Sequence, residues 1–296
     1  MRTVRGRRVR IAFFNPFFDE WPSVGRHECA TPAEFGHGPA SVAMADALVF
    51  HLPTLHVEQL DAVERRSGQL WVGWSLESPA SCPLLHEPST RRRFDLLMTY
   101  ERSSDVWHPY LDRASFESYV RVPRHDAPDP VVWVQSNPDD SSGRLTYASE
   151  LMKRVRVASY GELGTTHPGP LPGGAAARRA LYGRHKFTLA FENAIASDYV
   201  TEKFYEPLVA GSVPVYRGAP EIAEFAPSGS FVDASRFESA VALAEHLDRL
   251  DRDDGAYAAF HEWRARPLEP HVVALLERVR ERPLCRLAAA VAAIAR

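Results

Sequence analysis

Short runs of apolar residues alternate with amphipathic stretches through the second half of the chain. Residues 131–134 and 187–191 are continuously apolar, which is typical of strands covered on both faces of a sheet. Between them, apolar positions recur at spacings of three and four and predict a helix over 144–155. The same alternation predicts further strands at 155–160, 213–216 and 231–232, and helices at 175–185, 201–210, 236–250 and 254–264.

A repeated order of strand, loop, helix and strand predicts a parallel doubly wound sheet, an α/β fold whose ligands bind at the carboxyl ends of the strands. No Gly-x-Gly-x-x-Gly fingerprint accompanies this pattern, which disfavours a dinucleotide-dependent dehydrogenase. The second half is therefore predicted to bind a nucleotide by other means.

The first half has a less regular pattern. Strands are predicted at 10–14, within 43–50, and at 70–74 and 94–100, with a short helix at 61–66 and Gly- and Pro-containing loops at 22–39 and 161–174. Two prolines make 126–130 the predicted linker. These features divide the chain into an N-terminal α/β domain (1–127), a nucleotide-binding domain (128–270) and a C-terminal helical segment (271–296) that packs back on the body.

Composition and charge limit the classes of protein to which this chain can belong. The chain has 296 residues, of which 45% are hydrophobic and 25% charged, as in soluble globular proteins. A formal net charge of −3 argues against a nucleic-acid binder with a broad basic face, although it allows a small basic patch inside a cleft. No apolar run is long enough for a transmembrane helix or a signal peptide. We expect a cytoplasmic protein of bacterial type, with peripheral contact of the Ala-rich segment 287–294 at the inner face of the membrane as the alternative.

The pattern of the three cysteines does not predict a disulfide framework or a zinc site. Their number is odd, their spacings are long and no Cys-x-x-Cys pair occurs, so neither a disulfide framework nor a structural zinc site is expected. His27, Cys29 and His37 lie close in the sequence, but they lack a fourth ligand at a usual spacing, and a polar loop is the simpler interpretation.

One segment combines the chemistry expected at a phosphate site. The strand at 187–191 ends at Glu192 and Asn193, and Thr201 is a favourable N-cap for the next helix. The start of a helix presents free N–H groups and the positive end of its dipole, and Lys203 in the first turn adds a full charge. By itself this spacing fits a capped surface helix equally well.

At these residues the sequence resembles the α1,3/4-fucosyltransferase family. The resemblance consists of Phe191-Glu192-Asn193, then Tyr199-Val200-Thr201-Glu202-Lys203, then Ala210-Gly211 and Val213-Pro214-Val215. Further similar motifs are Trp133 to Asn137 with Arg144, Ser159-Tyr160-Gly161, Leu76-Glu77-Ser78-Pro79 and the stretch from Tyr100 to Tyr110. The resemblance covers residues 70–235, and the chain departs from animal members in lacking a cysteine after the Tyr-Gly turn.

The resemblance implies two facing Rossmann-like domains of the GT-B type, an N-terminal domain on the acceptor side and a C-terminal domain that binds the GDP-sugar. It also implies an active site in the interdomain cleft and no catalytic metal or other cofactor. Arg144 and Lys203 match residues that neutralise the leaving diphosphate. Glu202 matches the acid that faces the fucose and stabilises its developing positive charge. Glu77 matches the general base that accepts the acceptor's proton. The remaining matches are expected to bind the donor: Ser136, Asn137, Tyr160, Gly161, Glu192, Asn193, Tyr199, Val200 and Thr201.

The implied function is inverting transfer of L-fucose from GDP-L-fucose to a hydroxyl of an acceptor sugar, in α1,3 or α1,4 linkage. A related inverting transferase that uses another nucleotide sugar is the first alternative. A catalytically silent protein that binds a sugar nucleotide is the second, although Glu77, Arg144, Glu202 and Lys203 are all present. The partners expected are GDP-fucose and a carbohydrate acceptor, whose identity the sequence leaves open together with the oligomeric state.

Overall fold

The computed structural model describes residues 8–119, 125–161, 166 and 173–294 of the chain. Contacts between residues divide it into two compact units. Unit 1 comprises the residues up to Pro109 together with those from Val279 onward, and unit 2 extends from Tyr110 to Arg278. Most of the predicted loop at 161–174 lies outside the described residues, as do the basic residues before Arg8.

Twelve strands are present in the described residues. They are β1 (Val9–Phe13), β2 (Gly25–His27), β3 (Ala33–His37), β4 (Ala47–His51), β5 (Leu70–Ser75), β6 (Leu96–Thr99), β7 (Val106–Trp107), β8 (Val131–Gln135), β9 (Val157–Gly161), β10 (Phe187–Phe191), β11 (Val213–Arg217) and β12 (Val232–Asp233).

The helices of the described residues connect these strands. They are α1 (Gly38–Met44), α2 (Val57–Asp61), α3 (Pro83–His86), α4 (Pro88–Arg91), α5 (Arg113–Glu117), α6 (Arg144–Met152), α7 (Ala175–Tyr182), α8 (Glu202–Ala210), α9 (Ala240–Arg252), α10 (Asp254–Ala259), α11 (Pro270–Arg278) and α12 (Pro283–Ile294). Short 3₁₀ turns occur at Leu52–Thr54, Ile222–Glu224, Ala234–Arg236 and Glu262–Ala265.

Unit 1 contains a seven-stranded sheet in the order β2-β3-β1-β4-β5-β6-β7. Its neighbouring strands are parallel except for β2 and β3, which pair antiparallel. Successive side chains of β1 alternate between the two faces, so Ala12 and Phe13 belong to separate buried clusters. After β1 the chain forms β2 and β3 on one side of β1, and it then crosses to form β4 on the other side. This reversal of direction creates a switch point at the carboxyl ends of β1 and β4.

Unit 2 contains a five-stranded sheet in the order β12-β11-β10-β8-β9, and all its neighbouring strands are parallel. Phe187 and Leu189 of β10 pack into one buried cluster, whereas Val132 of β8 packs into another on the opposite face. The parallel doubly wound sheet predicted for the second half is therefore confirmed. Its switch point lies between β8 and β10, so the loops after these two strands border the crevice where doubly wound sheets bind ligands.

The boundary between the units precedes the segment that the sequence marks as a linker. The ring of Tyr110 contacts that of Tyr199 edge-to-face, with 6.2 Å between centroids, and α5 packs against α8. Residues from Tyr110 onward therefore belong to unit 2, which differs from the predicted division at 127 and 128. The prolines of 126–130 instead lead into β8, and the Pro130 carbonyl accepts a hydrogen bond from the Phe187 N–H at 2.9 Å.

Local predictions for the first half were wrong in two places. The expected loop at 22–39 contains β2, β3 and the start of α1, because short strands between prolines give little periodicity to read. The helix expected at 61–66 lies earlier, at Val57–Asp61, where the Gln59 side chain accepts a hydrogen bond from the His56 N–H at 2.9 Å. Strand β1, by contrast, begins within one residue of its predicted start.

The C-terminal helix α12 packs into the core of unit 1. Leu287, Ala288 and Val291 are fully buried and share a cluster with Phe13 and Val72 of the sheet. This packing covers the apolar face of α12. Among the described helices, none combines the length and apolar character needed to cross a membrane.

A disulfide joins Cys29, between β2 and β3, to Cys285 at the start of α12, with 5.2 Å between their Cα atoms. The expectation of unpaired cysteines was therefore wrong. A separation of 256 residues gives no local signal, because only the packing of α12 on unit 1 brings the two together. Cys82 is free and buried. Disulfides persist mainly in oxidising compartments, so this pairing does not support the cytoplasmic location expected from the sequence.

We expect the Cys29–Cys285 bond to stabilise unit 1 by about 2–5 kcal/mol, because it closes a very long loop in the unfolded chain. Chemical unfolding of wild type and of Cys29→Ser, each with and without reductant, measures this contribution. Reductant should lower the unfolding midpoint of wild type and leave that of Cys29→Ser unchanged. Equal midpoints for the two proteins without reductant would contradict the bond, and trapping thiols directly on extraction would report its state in the natural compartment.

Candidate active site

The switch point of unit 2 brings two polar segments together. Residues 136–143 follow β8, and residues 192–201 follow β10. The Ser142 N–H donates to the Asn193 carbonyl at 2.9 Å, and the Ser142 hydroxyl donates to the Glu192 carbonyl at 2.7 Å. The Ser141 hydroxyl donates to the same Asn193 carbonyl at 2.9 Å. The two segments therefore form one structural layer at the ligand edge of the sheet.

Helix α8 begins and ends where its sequence predicts. Thr201 is the N-cap, and its hydroxyl accepts a hydrogen bond from the Lys203 N–H at 3.3 Å. Gly211 ends the helix in the left-handed conformation, with a φ of 89° that glycine adopts without strain. The N-terminal N–H groups and the positive end of the helix dipole thus lie beside the switch point.

Glu192 lies buried beneath this helix start. One carboxylate oxygen accepts the Thr201 N–H at 2.8 Å, and the other accepts the Thr201 hydroxyl at 2.8 Å and lies 3.5 Å from Lys203 Nζ. Glu192 is 0% exposed, and this burial raises its pKa. A Cβ on Gly218 would lie 2.6 Å from Glu192 Cγ, so only glycine fits there. These contacts position Thr201 and Lys203. The expected contact of Glu192 with the donor stays a prediction.

Lys203 places a positive charge at the start of α8. Its ammonium lies 3.1 Å from the Glu202 carboxylate and 3.2 Å from the Thr201 hydroxyl, and its side chain is 24% exposed. Burial alone disfavours this charge, but the carboxylates of Glu192 and Glu202 outweigh it and raise the Lys203 pKa. Lys203 is therefore protonated at neutral pH and keeps a face open to solvent.

Glu202 stays ionised beside it. Burial alone favours the neutral acid, but Lys203 and the backbone N–H of the helix start lower the Glu202 pKa. The same side chain borders a cavity of about 110 Å³ between α5, α7 and α8. An ionised carboxylate at the open end of a helix can stabilise positive charge on a bound sugar.

Arg144 was expected to neutralise the leaving diphosphate, and this role stays a prediction. Its side chain is fully buried, and its two Nη groups donate to the carbonyls of Phe191 at 3.3 Å and Asn137 at 2.6 Å. Burial lowers its pKa, with partial compensation from Glu192 and Asp140. In this arrangement Arg144 joins the segments after β8 and β10, and its Nε has no hydrogen-bond partner among the described residues.

Asn193 and the residues just before α8 are the buried part of this layer. Asn193 is 3% exposed, and its side-chain oxygen lacks a hydrogen-bond partner within the described parts of the chain. Tyr199, Val200 and Thr201 are buried, and the Tyr199 carbonyl accepts the Tyr216 hydroxyl at 3.1 Å. The orphaned oxygen of Asn193 is a group that a ligand could satisfy.

Ser136, Asn137, Tyr160 and Gly161 border the same edge. Ser136 and Asn137 are exposed, and the Asn137 side-chain oxygen accepts the Asp139 N–H at 2.8 Å. Gly161 ends β9 with a φ of 112°, and a Cβ there would lie 1.8 Å from the Gln135 carbonyl oxygen. Only glycine therefore lets β9 lie this close to the end of β8.

Glu77 belongs to unit 1, whereas the other predicted site residues belong to unit 2. It follows β5, is half-buried, and donates its backbone N–H to the Ser75 hydroxyl at 3.1 Å. The next residue, Ser78, is fully buried and accepts the Cys82 N–H at its carbonyl at 2.8 Å. Glu77 is thus held at the carboxyl edge of the unit 1 sheet, where doubly wound sheets bind ligands.

Sequence reasoning missed two groups that support the layer. Arg217 donates to the Ser142 carbonyl at 2.6 Å, and its guanidinium lies 5.2 Å from the centroid of the Tyr147 ring. Asp140 accepts the Leu145 N–H at 2.9 Å at the start of α6. The only signal available for Arg217 was its position at the end of a predicted strand, next to Gly218.

No cluster of three or more His, Cys, Asp or Glu side chains suited to a metal ion occurs in the described ranges. Cys29, one of three neighbouring candidates in the sequence, is held in the disulfide. The ring of His37 stacks on Trp21 with 4.3 Å between centroids, and that of His27 lies against Phe35. These three side chains do not form a metal site.

Family models match both halves of the chain. Glycosyltransferase family 10 (fucosyltransferase) C-term matches residues 125–296, and Fucosyltransferase, N-terminal, matches residues 12–111. The chain is 36% identical to GDP-fucose protein O-fucosyltransferase 3 of Rattus norvegicus, over 78% of this chain and 50% of that protein. It is 33% identical to 4-galactosyl-N-acetylglucosaminide 3-alpha-L-fucosyltransferase FUT6 of Pongo pygmaeus, over 74% and 62% of the two. The chain thus spans about half to three-fifths of these relatives.

Solved structures share the fold. A crystal structure of an alpha1,3-fucosyltransferase matches with a TM-score of 0.68 and 14% identity, over 99% of this chain and 92% of that one. A structure of alpha1,3-fucosyltransferase with GDP-fucose matches with a TM-score of 0.63 and 16% identity, over 95% and 93%. These similarities and the two sheets, which are parallel except for the β2–β3 pair, confirm the predicted fold of two Rossmann-like domains, the GT-B type. With both family models matched, the chain belongs to glycosyltransferase family 10, the fucosyltransferases.

Proposed function

We propose that this protein transfers L-fucose from GDP-L-fucose to a hydroxyl of an acceptor sugar, with inversion and in α1,3 or α1,4 linkage. The observation that carries the proposal is the start of α8, where Lys203 stands beside Glu192, Glu202 and the Thr201 N-cap at the switch point of unit 2. A helix start reinforced by a lysine favours a diphosphate. The structural relative solved with GDP-fucose supports the choice of donor.

The proposed reaction is a single displacement. The acceptor oxygen attacks the anomeric carbon of fucose from the face opposite GDP, while the bond from that carbon to the β-phosphate oxygen breaks. Glu77 takes the proton of the acceptor hydroxyl. The bonding electrons leave with GDP, whose charge Lys203 and the α8 N–H groups stabilise, and Glu202 stabilises the oxocarbenium character of the sugar. The β-linked donor then yields an α-L-fucoside.

We further propose that no resident metal takes part, because Lys203 and the helix start already supply positive charge for the diphosphate. The relatives are named for different acceptors, one for a protein and the other for 4-galactosyl-N-acetylglucosaminide. We propose a carbohydrate acceptor here. A cytoplasmic location, with peripheral membrane contact as the alternative, stays part of the proposal and is tested by the thiol trapping described above.

Release of GDP from GDP-fucose tests the donor site. We expect Lys203→Ala to lower the rate of release in the absence of divalent metal by about 10²–10³-fold, as for other lost charge-stabilising groups. Lys153→Ala is the matched control, since Lys153 is 64% exposed and pairs with the surface residue Glu150 on α6. The control should behave as wild type.

The outcomes separate the alternatives. GDP binding without release, with or without acceptor, would favour the catalytically silent protein. Faster release from another GDP-sugar than from GDP-fucose would favour the related transferase. Failure to bind GDP at all, or equal rates for Lys203→Ala and wild type, would contradict the proposed diphosphate site. Activity that depends on an added divalent cation would contradict metal independence.

A further inference from the structure

Two acidic side chains lie on one face of α8. Glu202 is the first residue of the helix and Glu206 follows four positions later, so the two project from the same side, one turn apart. Both border the cavity of about 110 Å³ between α5, α7 and α8. Like charges at this spacing repel each other and favour protonation of one of the two carboxylates. An ionised Glu202 therefore requires that the charge of Glu206 be compensated.

Helix α7 supplies the compensating charge. It packs against α8, and the guanidinium of Arg178 donates to both oxygens of the Glu206 carboxylate, from Nε at 2.7 Å and from Nη2 at 2.5 Å. The Arg178 side chain is 32% exposed and that of Glu206 is 12% exposed, so most of the pair is shielded from solvent. A two-pronged contact of this kind fixes the orientation of both side chains as well as their separation.

The charge of Arg178 also acts on Glu202. Burial by itself raises the Glu202 pKa, but Lys203, the backbone N–H of the helix start and Arg178 together lower it. In the other direction, the hydrogen bonds to Glu206 raise the pKa of Arg178, and the charge of Glu202 adds to that effect. Glu202 therefore interacts with cations of two helices, Lys203 of α8 and Arg178 of α7.

Other ionisable groups of the described residues also surround Glu202. Glu192 lies beneath the helix start and shares Lys203 with Glu202. Tyr182 of α7 is buried, and this burial raises its pKa, so the phenol stays neutral. Four more groups border the cavity: Tyr110, Asp112, Arg179 and Tyr205. Among these four only Arg179 is positively charged, which makes it the natural comparison for Arg178.

We propose that Arg178 is a positioning residue for fucose transfer: its ion pair with Glu206 holds α7 on α8, and its charge joins that of Lys203 in keeping Glu202 ionised beside the donor sugar. This inference rests on the proposed function, in which Glu202 stabilises the positive charge that develops on the fucose. Only the ionised carboxylate can do so. The proposal adds to that function a pair of residues that act on the reaction through Glu202.

The pH dependence of turnover tests the role of Arg178. The kcat for GDP release from GDP-fucose is measured with the full chain at about pH 5 and about pH 8. Loss of the guanidinium raises the pKa of Glu202, so the loss of activity on acidification moves to higher pH. We expect Arg178→Met to lower kcat about fivefold at the lower pH and less than about twofold at the higher pH, with the KM for GDP-fucose at the higher pH unchanged.

Three further variants separate electrostatics from packing. Arg178→Lys keeps the charge and should retain most of the wild-type kcat at the lower pH. Combining Arg178→Met with Glu206→Gln removes both charges and relieves Glu202 of an unpaired neighbour, so about half or more of the lost kcat should return. Arg179→Met removes the same charge from the next residue of α7 and should stay within about twofold of wild type at both pH values. The proposed base Glu77 is present in every variant, so its own protonation affects all of them equally.

An equal loss of kcat at both pH values in Arg178→Met would indicate a purely structural role and overturn the proposal. An acid loss that persists in full in the double variant, or one of the same size in Arg179→Met, would also overturn it. Unfolding midpoints at both pH values verify folding, and Arg178→Gln, which is also uncharged, replaces Arg178→Met if the latter does not fold.

Absence of GDP-fucose turnover in wild type would overturn the proposed function itself. Titration of the Glu202 carboxyl carbon by NMR in wild type and in Arg178→Met then still decides the effect of the ion pair. Protonation of Glu202 at higher pH in the variant would support the effect of Arg178 on Glu202, and identical titrations would overturn it.

Discussion

Glu77→Gln is expected to lower the rate of fucose transfer by about 10²–10⁴-fold, the usual contribution of a positioned general base. Glutamine keeps the size of the side chain but cannot accept the proton of the attacking hydroxyl. The backbone of residue 77 should stay in place, because its N–H bond to the Ser75 hydroxyl is independent of the side chain. Initial rates of transfer at saturating donor and acceptor measure the effect directly.

Binding measurements separate a lost base from a damaged fold. The affinity for GDP should remain that of wild type, since the groups proposed to hold the diphosphate lie in unit 2 and Glu77 lies in unit 1. Glu58→Gln is the matched control, because Glu58 is an exposed glutamate on α2 of the same unit. If Glu77→Gln kept more than about a tenth of wild-type transfer, another group would have to be the base.

Glu192→Ala is expected to destabilise unit 2 by about 2–5 kcal/mol, because it leaves two buried donors of Thr201 without an acceptor, at about 1–3 kcal/mol each. The change removes both acceptors of the Thr201 N-cap, and it removes one of the two carboxylates beside Lys203. The helix start would lose its support, and GDP release should fall with it. Denaturant unfolding and GDP-release kinetics provide the two measurements.

Two further variants show what Glu192 contributes. Glu150→Ala removes a carboxylate from an exposed pair with Lys153, at 51% and 64% exposure, and should cost less than about 1 kcal/mol. Glu192→Gln can still accept one hydrogen bond from Thr201 but carries no charge, so we expect intermediate stability and a raised KM for the donor. Destabilisation of Glu192→Ala no larger than that of Glu150→Ala would show that Glu192 does not position the helix start.

The sequence predicted those elements whose formation depends on residues close together in the chain. The apolar runs of β5 and β10 and the Thr201 and Gly211 ends of α8 depend on neighbours along the chain, so their side chains alone predict them. The motif from Phe191 to Lys203 likewise predicted which residues would meet at the carboxyl edge of unit 2. The short strands β2 and β3 were missed because their three and five residues offer too little periodicity.

Tertiary structure decided which groups of the protein two of the predicted site residues contact. Arg144 and Glu192 are both fully buried, Arg144 against the carbonyls of Phe191 and Asn137, and Glu192 against Thr201. Their expected contacts with the donor stay predictions. Whether a charged side chain faces a ligand or supports the backbone depends on the packing of neighbouring strands and loops. Residue type and spacing do not determine that packing.

The sequence by itself determined the family, the parallel sheet of unit 2 and the limits of α8, because each rests on local patterns or on a long contiguous motif. Only the tertiary structure decided the bond between Cys29 and Cys285, the start of unit 2 at Tyr110 and the stacking of Phe17 on Trp74. Each of these joins residues distant in the chain. Such contacts depend on the order in which strands pair and helices pack, and this order is a property of the whole fold.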